Sequence, residues 1–427
     1  MSTGSAKSEV ILSLLFKIGG MGFGFISTGI LVRELGAASY GTWAALTSLL
    51  AWIQLSDFGV GYALKNRIAG ATRPGQLLRT ISGVFQFYAL IAIVLAVMFL
   101  VAGTSLSIVR DYRAESYILY LGTILFFPLT IGTAILQGLR KNSLVGLIGL
   151  IQSMLWVVCL FIIGWTKVTL LILSGANILL ILIFGIGQCA KGLKELGKPE
   201  GIASDQLFDI KNLSLAIPLW SVGVRFVVLQ LSSVILFSLG TYLTYSNLSP
   251  NDAARYDILF KVFQVPLTIF NIIISVYWVE IAKAISLNDG AALKRRFIQL
   301  HFVAFGLCGA SLFFSLTFCS YFVDLYTGGN IETSVSDALA FWILISVQMF
   351  AYSGAVFLNA AEKLRGQIGF SVFSASLLVP AVLFLFSTGL GLATVPLATA
   401  VLIFPSLIYC NWIAYHHVVQ KHCKISL

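Results

Sequence analysis

Residues 80–109 read TISGVFQFYALIAIVLAVMFLVAGTSLSIV, a stretch without a charged side chain that lies between Arg79 and Arg110. A transmembrane helix needs about 20 consecutive apolar residues, so this stretch predicts a helix that crosses a bilayer. Comparable stretches recur along the 427-residue chain, of which 58% is hydrophobic and 10% charged. An ordinary soluble domain is about 25% charged. The sequence therefore predicts an all-α polytopic membrane protein.

Twelve transmembrane helices are predicted, in two six-helix lobes around a central cavity. The longest polar connection, residues 191–212, follows the sixth helix. We therefore predict an N-terminal lobe at residues 1–190, a cytoplasmic linker at 191–212 and a C-terminal lobe at 213–427. Helices one and seven run in the same direction, which is typical of parallel repeats in transporters. The predicted spans are 9–32, 42–64, 80–109, 117–139, 144–165, 169–190, 213–240, 256–282, 297–322, 338–360, 367–388 and 392–415.

The formal net charge of +10 comes from Lys and Arg in the short loops between spans, which argues against a nucleic-acid partner. With a cytoplasmic N-terminus, about nineteen of these residues fall inside and five outside, as the positive-inside rule expects. We therefore expect both termini in the cytoplasm and a bacterial inner-membrane location. The five outside are Arg33, Arg110, Arg113, Lys167 and Arg255.

The cysteines predict neither a metal site nor a disulfide framework, because they are scattered without a CxxC pair or clustered histidines. They are Cys159, Cys189, Cys308, Cys319, Cys410 and Cys423.

Charged residues inside the predicted spans are the candidate functional residues. Lys17, Asp57, Arg225 and Lys261 lie well within spans one, two, seven and eight. A charge in mid-membrane costs at least about 2.5 kcal/mol, so such a side chain normally meets a partner or a polar cavity. The excess of cations predicts an anionic cargo, and guanidinium suits phosphate oxygens in particular.

Polar residues recur three and four positions apart along span eight, which places them on one face of the helix. Span two carries a shorter polar face beside Asp57. We expect the uncharged members of these faces to line the cavity. They are Gln54, Gln264, Thr268 and Asn271.

Several alternatives stay open for the charges. Lys17 and Asp57 lie at similar depth, so they also fit a structural ion pair, and Asp57 also fits a coupling-ion site. Lys261 lies about 9 Å from the outer end of its span, close enough to reach the interface. Arg225 lies roughly 20 Å into span seven, which makes it the strongest candidate. 

Small and helix-breaking residues accompany these charges. The glycines of span one, with Pro218 and Pro266 in spans seven and eight, favour either bending of the helices or, for Gly20 and Gly24, close packing.

Residues 31–66, LVRELGAASYGTWAALTSLLAWIQLSDFGVGYALKN, resemble the N-terminal region of the Wzx O-antigen flippases of the multidrug, oligosaccharidyl-lipid and polysaccharide exporter (MOP) superfamily. Residues 137–141 and the loop 359–367 are weaker echoes of the same family. The residues that carry the resemblance are Leu35, Gly36, Tyr40, Gly41, Trp43, Asp57, Phe58, Gly59 and Asn66.

The resemblance implies alternating access and a cargo of undecaprenyl-diphosphate-linked oligosaccharide, moved from the cytoplasmic to the outer leaflet for O-antigen or lipopolysaccharide biosynthesis. It also implies a cationic lumen, for which Lys17, Arg225 and Lys261 are the available positions. Coupling to H⁺ or Na⁺ is expected, with no other cofactor. The implied partners are the lipid-linked cargo, membrane lipid and other membrane proteins of polysaccharide assembly.

Three rival functions remain. A drug exporter of the same superfamily should favour acidic lumen residues for cationic cargo, and a lipid II flippase usually has additional helices. A membrane polymerase or glycosyltransferase would need a carboxylate pair or histidine cluster in a large loop, and the loops here are short. We therefore expect a transporter rather than an enzyme.

Overall fold

The computed structural model describes residues 3–69, 74–165, 168–196, 209–361 and 363–425, and these segments are helices joined by short turns. The chain divides into two compact units, Met1–Gln230 and Leu231–Leu427. The predicted lobes are defined by the order of the helices, whereas these units are defined by contacts. The limits of the lobes therefore stay a prediction, and the cavity between the lobes also stays a prediction. Arg73, Lys167 and Lys198, which enter the predicted charge asymmetry, and most of the predicted linker lie outside the described residues.

The first unit is built from ten helices and the beginning of an eleventh among its described residues. Irregular helical turns at Tyr117–Leu121 and Phe127–Thr130 join α6, α7 and α8 into one span. The helices are α1 (Thr3–Ser48), α2 (Leu50–Leu55), α3 (Val60–Ala69), α4 (Pro74–Ala102), α5 (Ser107–Asp111), α6 (Arg113–Ser116), α7 (Gly122–Phe126), α8 (Ile131–Gly138), α9 (Asn142–Gly164), α10 (Leu170–Leu196) and α11 (Ile217–Ser238).

The second unit contains the end of α11 and eight further helices in its described part. A helical segment, Ala414–Val419, joins the last two. The helices are α12 (Gly240–Asn247), α13 (Pro250–Ser286), α14 (Gly290–Thr317), α15 (Cys319–Thr327), α16 (Val335–Ala360), α17 (Arg365–Phe386), α18 (Thr394–Ile413) and α19 (Gln420–Ile425).

The predicted number of membrane crossings is confirmed for the described residues. Ten helical segments are long and apolar enough to cross a membrane, and the bent pair Val227–Ser238 and Gly240–Asn247, taken as one span, is an eleventh. The first segment, Ile11–Leu55, has 45 residues. At 1.5 Å per residue it measures about 67 Å, twice a hydrocarbon core of about 30 Å, so it supplies two crossings.

The turn between these first two crossings is shorter than the loop predicted at residues 33–41. Helical geometry continues through Arg33 and breaks at Gly36, whose φ of 74° and ψ of 166° are not helical. Glycine adopts a positive φ without steric penalty, which explains why the turn lies at this residue.

The contact between α1 and α9 tests the close-packing role predicted for Gly20 and Gly24. In the first unit α1 packs along α9, where Trp43 stacks on Trp156 at 6.2 Å between ring centroids. A Cβ atom at Gly20 would lie 3.6 Å from Ser153 Oγ on α9, whereas a Cβ at Gly24 would meet nothing within 4 Å. The contact at Gly20 is an ordinary van der Waals distance, so neither position requires glycine for close packing, and the packing role of this pair stays a prediction.

The end of the predicted linker is packed against α4. A Cβ atom at Gly83 would overlap the backbone carbonyl of Asn212, so only glycine permits this approach. The side-chain amide of Gln86 also donates a hydrogen bond to the Asp209 carbonyl, at 3.1 Å. These contacts place residues 209–215 in the first unit and delay the start of span seven to Ile217, with Pro218 in the first turn, where proline is favoured.

Candidate functional site

Asp57 lies in a break of the second crossing. The helix α2 ends at Leu55 and α3 begins at Val60, and between them Phe58 and Gly59 have φ values of 48° and 72°. Asp57 Oδ1 accepts a hydrogen bond from the Gly59 N–H at 2.9 Å. Asp favours such local turns, and Gly tolerates the left-handed backbone, but Phe58 is strained there. The prediction of an unbroken helix at 42–64 is wrong at this point.

The carboxylate of Asp57 is accommodated because residue 61 is glycine. A Cβ atom there would lie 2.8 Å from Asp57 Oδ2 and 3.2 Å from Tyr88 Oη. Tyr88 projects from α4 and is only 1% exposed. A carboxylate and a buried phenol therefore both border the backbone of Gly61.

Two lysines lie near this carboxylate. Lys65 on α3 interacts electrostatically with both Asp57 and Lys17, and its ammonium group lies 4.2 Å from the centre of the Tyr62 ring. Lys17 is exposed on α1, and no salt bridge joins it to Asp57 in the described part of the chain. The predicted Lys17–Asp57 ion pair is therefore not formed, and Lys65, which the sequence placed in a cytoplasmic loop, is the cation that interacts with Asp57.

We call Lys17, Asp57, Gly61, Lys65 and Tyr88 the Asp57 cluster. It contains two cations and one anion, all within the first unit. Gln54, predicted to line the cavity, lies exposed on α2 one turn before Asp57. The sequence supplied Asp57 and Lys17 but gave no reason to bring Tyr88 beside them, because that contact depends on the packing of α4.

Lys261, on α13 in the second unit, is paired within its own helix. Its Nζ lies 2.7 Å from Asp257 Oδ2, one turn earlier. The Asp257 side chain is 12% exposed and that of Lys261 is 40% exposed. The charge of Lys261 is therefore largely offset by Asp257, and its role as an isolated substrate-binding cation stays a prediction that this pair weakens.

The uncharged polar residues of α13 lie along the edge of its buried face. Gln264 and Thr268 are half-buried, and Asn271 is exposed. The apolar face beside them packs into the second unit through residues such as Phe263 and Phe270. Exposure thus increases toward the cytoplasmic end predicted for this helix, and the expected lining role of the three polar residues stays a prediction.

Arg225 lies on α11, but its side chain falls outside the described residues. Because α11 begins at Ile217 and not at the predicted residue 213, Arg225 is about 12 Å along the helix rather than 20 Å. The position remains inside the predicted membrane span.

Comparison with known proteins gives one sequence match and several structural ones. A profile of the family described as "Polysaccharide biosynthesis protein" matches residues 6–279, well over half of the chain. No curated protein sequence matches it.

Among solved structures, the chain is similar to an inward-facing multidrug resistance MATE family transporter of the MOP superfamily. Their sequence identity is 15%, the match covers 98% of this chain and 99% of the other, and the TM-score is 0.76. The lipid II flippase MurJ in its inward closed conformation is 13% identical in sequence. That match covers 97% of this chain and 91% of MurJ, with a TM-score of 0.72. A MOP superfamily transporter from Pyrococcus furiosus is 14% identical in sequence. That match covers 97% of this chain and 96% of the other, with a TM-score of 0.62. At such identities the likeness shows a shared fold.

Proposed function

This chain belongs to the polysaccharide biosynthesis protein family and has the fold of MOP superfamily transporters, and from that premise we propose that it is a flippase for an anionic lipid-linked saccharide. The proposed cargo is undecaprenyl-diphosphate-linked oligosaccharide, an O-antigen or related surface polysaccharide unit. It would move from the cytoplasmic to the outer leaflet by alternating access, without a catalytic step. The family match carries the proposal, because residues 6–279 include Lys17, Asp57, Arg225 and Lys261.

The charges of the first unit support an anionic cargo. The Asp57 cluster holds Lys17 and Lys65 against the single carboxylate of Asp57. Ammonium and guanidinium groups form charge-assisted hydrogen bonds to phosphate oxygens, which are stronger than neutral ones. We therefore propose Lys17 and Arg225 as cationic contacts for the diphosphate, with Lys261 contributing less because of Asp257.

Orientation and coupling belong to the same proposal. The excess of Lys and Arg in alternate loops favours cytoplasmic termini in a bacterial inner membrane. An ion gradient would drive transport, and Asp57 is the candidate coupling group of the first unit because its carboxylate lies at a break in a span.

A drug exporter is the main rival, because the structural neighbours include multidrug transporters. Cationic drugs need acidic groups within the spans. Of the two aspartates found there, Asp57 lies near Lys65 and Asp257 is paired with Lys261. The described intramembrane acids thus have cations beside them, which favours the anionic cargo.

Deletion of the gene tests the proposed function. We expect loss of surface glycan, and mass spectrometry should find an undecaprenyl-diphosphate-linked oligosaccharide that accumulates in the inner leaflet. Complementation with the wild-type gene is the control. Accumulated lipid II would point to the lipid II rival, and drug sensitivity with normal glycan would point to drug export. Normal glycan and normal lipid pools would contradict the proposal.

Gly61→Ala is expected to reduce glycan export about tenfold, equivalent to about 1.4 kcal/mol, because the new Cβ displaces the Asp57 carboxylate and the Tyr88 hydroxyl. Surface glycan and protein level in membranes would be measured together. The matched control is Gly22→Ala, whose Cβ meets nothing within 4 Å. Full export by Gly61→Ala would exclude the position of the Asp57 carboxylate from the mechanism.

A further inference from the structure

His301 lies inside a membrane span of the second unit and belongs to none of the sites above. It is half-buried on α14, eleven residues after the helix begins at Gly290, or about 16 Å along the helix axis. Of the four histidines of the chain, the other three lie near its C-terminal end, at positions 416, 417 and 422. Both nitrogens of the His301 ring have hydrogen-bond partners.

The first partner is Asn411 on α18, whose amide orientation is determined by its own contacts. Its Nδ2 donates to the backbone carbonyls of Phe350 and Leu407, each at 2.9 Å. A carbonyl oxygen only accepts, so the NH₂ group must face these two atoms. The oxygen Oδ1 therefore faces His301, at 2.8 Å from Nε2. Because Oδ1 carries no hydrogen, Nε2 must carry one.

The second partner imposes the same requirement on the other nitrogen. His301 Nδ1 lies 2.9 Å from the backbone carbonyl oxygen of Phe297, one turn earlier on α14. A neutral imidazole has one protonated nitrogen and one bare one, which would bring a lone pair against one of these two oxygens. Only the imidazolium form donates to both. The site thus presents two acceptors that are satisfied together when one extra proton is bound.

The surroundings support a cation at this position. The Phe297 ring centroid lies 4.2 Å from that of His301, within the range of a cation–π interaction, and Phe350 lies at 6.2 Å. The Asn411 position is held by close packing, since a Cβ at Gly354 would lie 2.6 Å from the Asn411 backbone nitrogen.

Other charged and titratable groups also lie on α14 and on the elements packed against it. Arg296, the nearest arginine on α14, is paired with Glu280 on α13, at 2.9 Å. The elements beside this half of α14 also carry titratable or charged groups. They include Tyr277, Glu280 and Lys283 of α13, Tyr352 of α16, Cys410 of α18, Tyr415, His416 and His417 of the segment 414–419, and Lys421 and His422 of α19.

We propose that His301 is a proton-binding site of the second unit, in which an imidazolium donates to the Phe297 carbonyl and to Asn411 Oδ1. When the proton leaves, one of these contacts becomes a repulsion between lone pairs, so proton loss favours a rearrangement between α14 and α18. That this proton drives transport rests on the proposed function. The binding site itself does not.

Nitrogen-15 NMR of histidine-labelled protein tests the site directly. Replacement of His416, His417 and His422 by Gln leaves His301 as the single labelled residue. We expect both ring nitrogens to show the shift of a protonated imidazolium at neutral pH, and Asn411→Leu should restore one bare nitrogen. A spectrum with one protonated and one bare nitrogen in the otherwise native protein would overturn the proposal. Because no cargo is present, an error in the proposed cargo would leave this spectrum unchanged.

A second experiment measures coupling. In membrane vesicles that flip the lipid-linked saccharide, an imposed pH gradient should stimulate transport at least severalfold. His301→Gln should abolish the stimulation, whereas His416→Gln, at an exposed position of the segment 414–419, should retain it. Stimulation that persists in His301→Gln would remove this proton from the transport cycle.

Discussion

Lys261→Met is expected to destabilise the second unit by about 3 kcal/mol, and Asp257→Asn by about 1 kcal/mol. The reason is the unequal burial of the pair. Lys261→Met removes a 2.7 Å ion-pair contact from a carboxylate that is only 12% exposed, whereas Asp257→Asn removes it from an ammonium group that is 40% exposed and keeps access to polar surroundings. Thermal unfolding in detergent, followed by fluorescence, measures both changes.

The double variant Asp257→Asn with Lys261→Met provides the control for this pair. Because both charges of the pair are removed together, we expect its stability to return to within about 1 kcal/mol of the native protein. Additive losses in the double variant would contradict a structural ion pair. Glycan export by the double variant then tests whether Lys261 also contacts the cargo. A stable double variant that fails to export glycan would support a cargo-binding role for this pair.

The class of fold could be predicted from the sequence because membrane crossings depend on properties that are summed over about 20 residues. The apolar content of Thr80–Val109 does not depend on its neighbours, and the same holds for the other spans. A break of a few residues in the backbone does not change a hydropathy that is summed over about 20 residues, so it is not predicted in this way. The turn at Gly36 and the break at Asp57 each involve one to four residues. Phe58 has a left-handed backbone, which a phenylalanine side chain does not favour and which the sequence therefore does not indicate.

The candidate sites were predictable only in part, because their residues come together through packing. Asp257 and Lys261 are four positions apart, so their pairing could have been read from helical spacing. The contact between His301 and Asn411 joins positions 110 residues apart, and no local pattern indicates it. Tyr88 approaches Gly61 only because α4 packs beside α3.

Arg225 is the residue for which the position in the sequence and the proposed function together make the most specific prediction. Its helix, α11, begins at Ile217, and the following residues, Val227–Gln230, are half-buried. A guanidinium group remains charged at any physiological pH, so it cannot adapt to the membrane by losing its proton. An arginine at this depth is normally retained for a polar partner, and a diphosphate is the partner that the proposed cargo supplies.

Arg225→Ala is therefore expected to lower surface glycan roughly a hundredfold, equivalent to about 2.8 kcal/mol of lost charge-assisted hydrogen bonding, while membrane insertion is unimpaired. Lipid-linked saccharide should accumulate in the inner leaflet. Arg225→Lys should retain part of the activity, because it keeps the charge but loses the bidentate geometry. Arg295→Ala, at an exposed position near the start of α14, is the matched control and should export normally. Normal glycan display by Arg225→Ala, measured at equal protein level, would show that the cargo is recognised without this arginine.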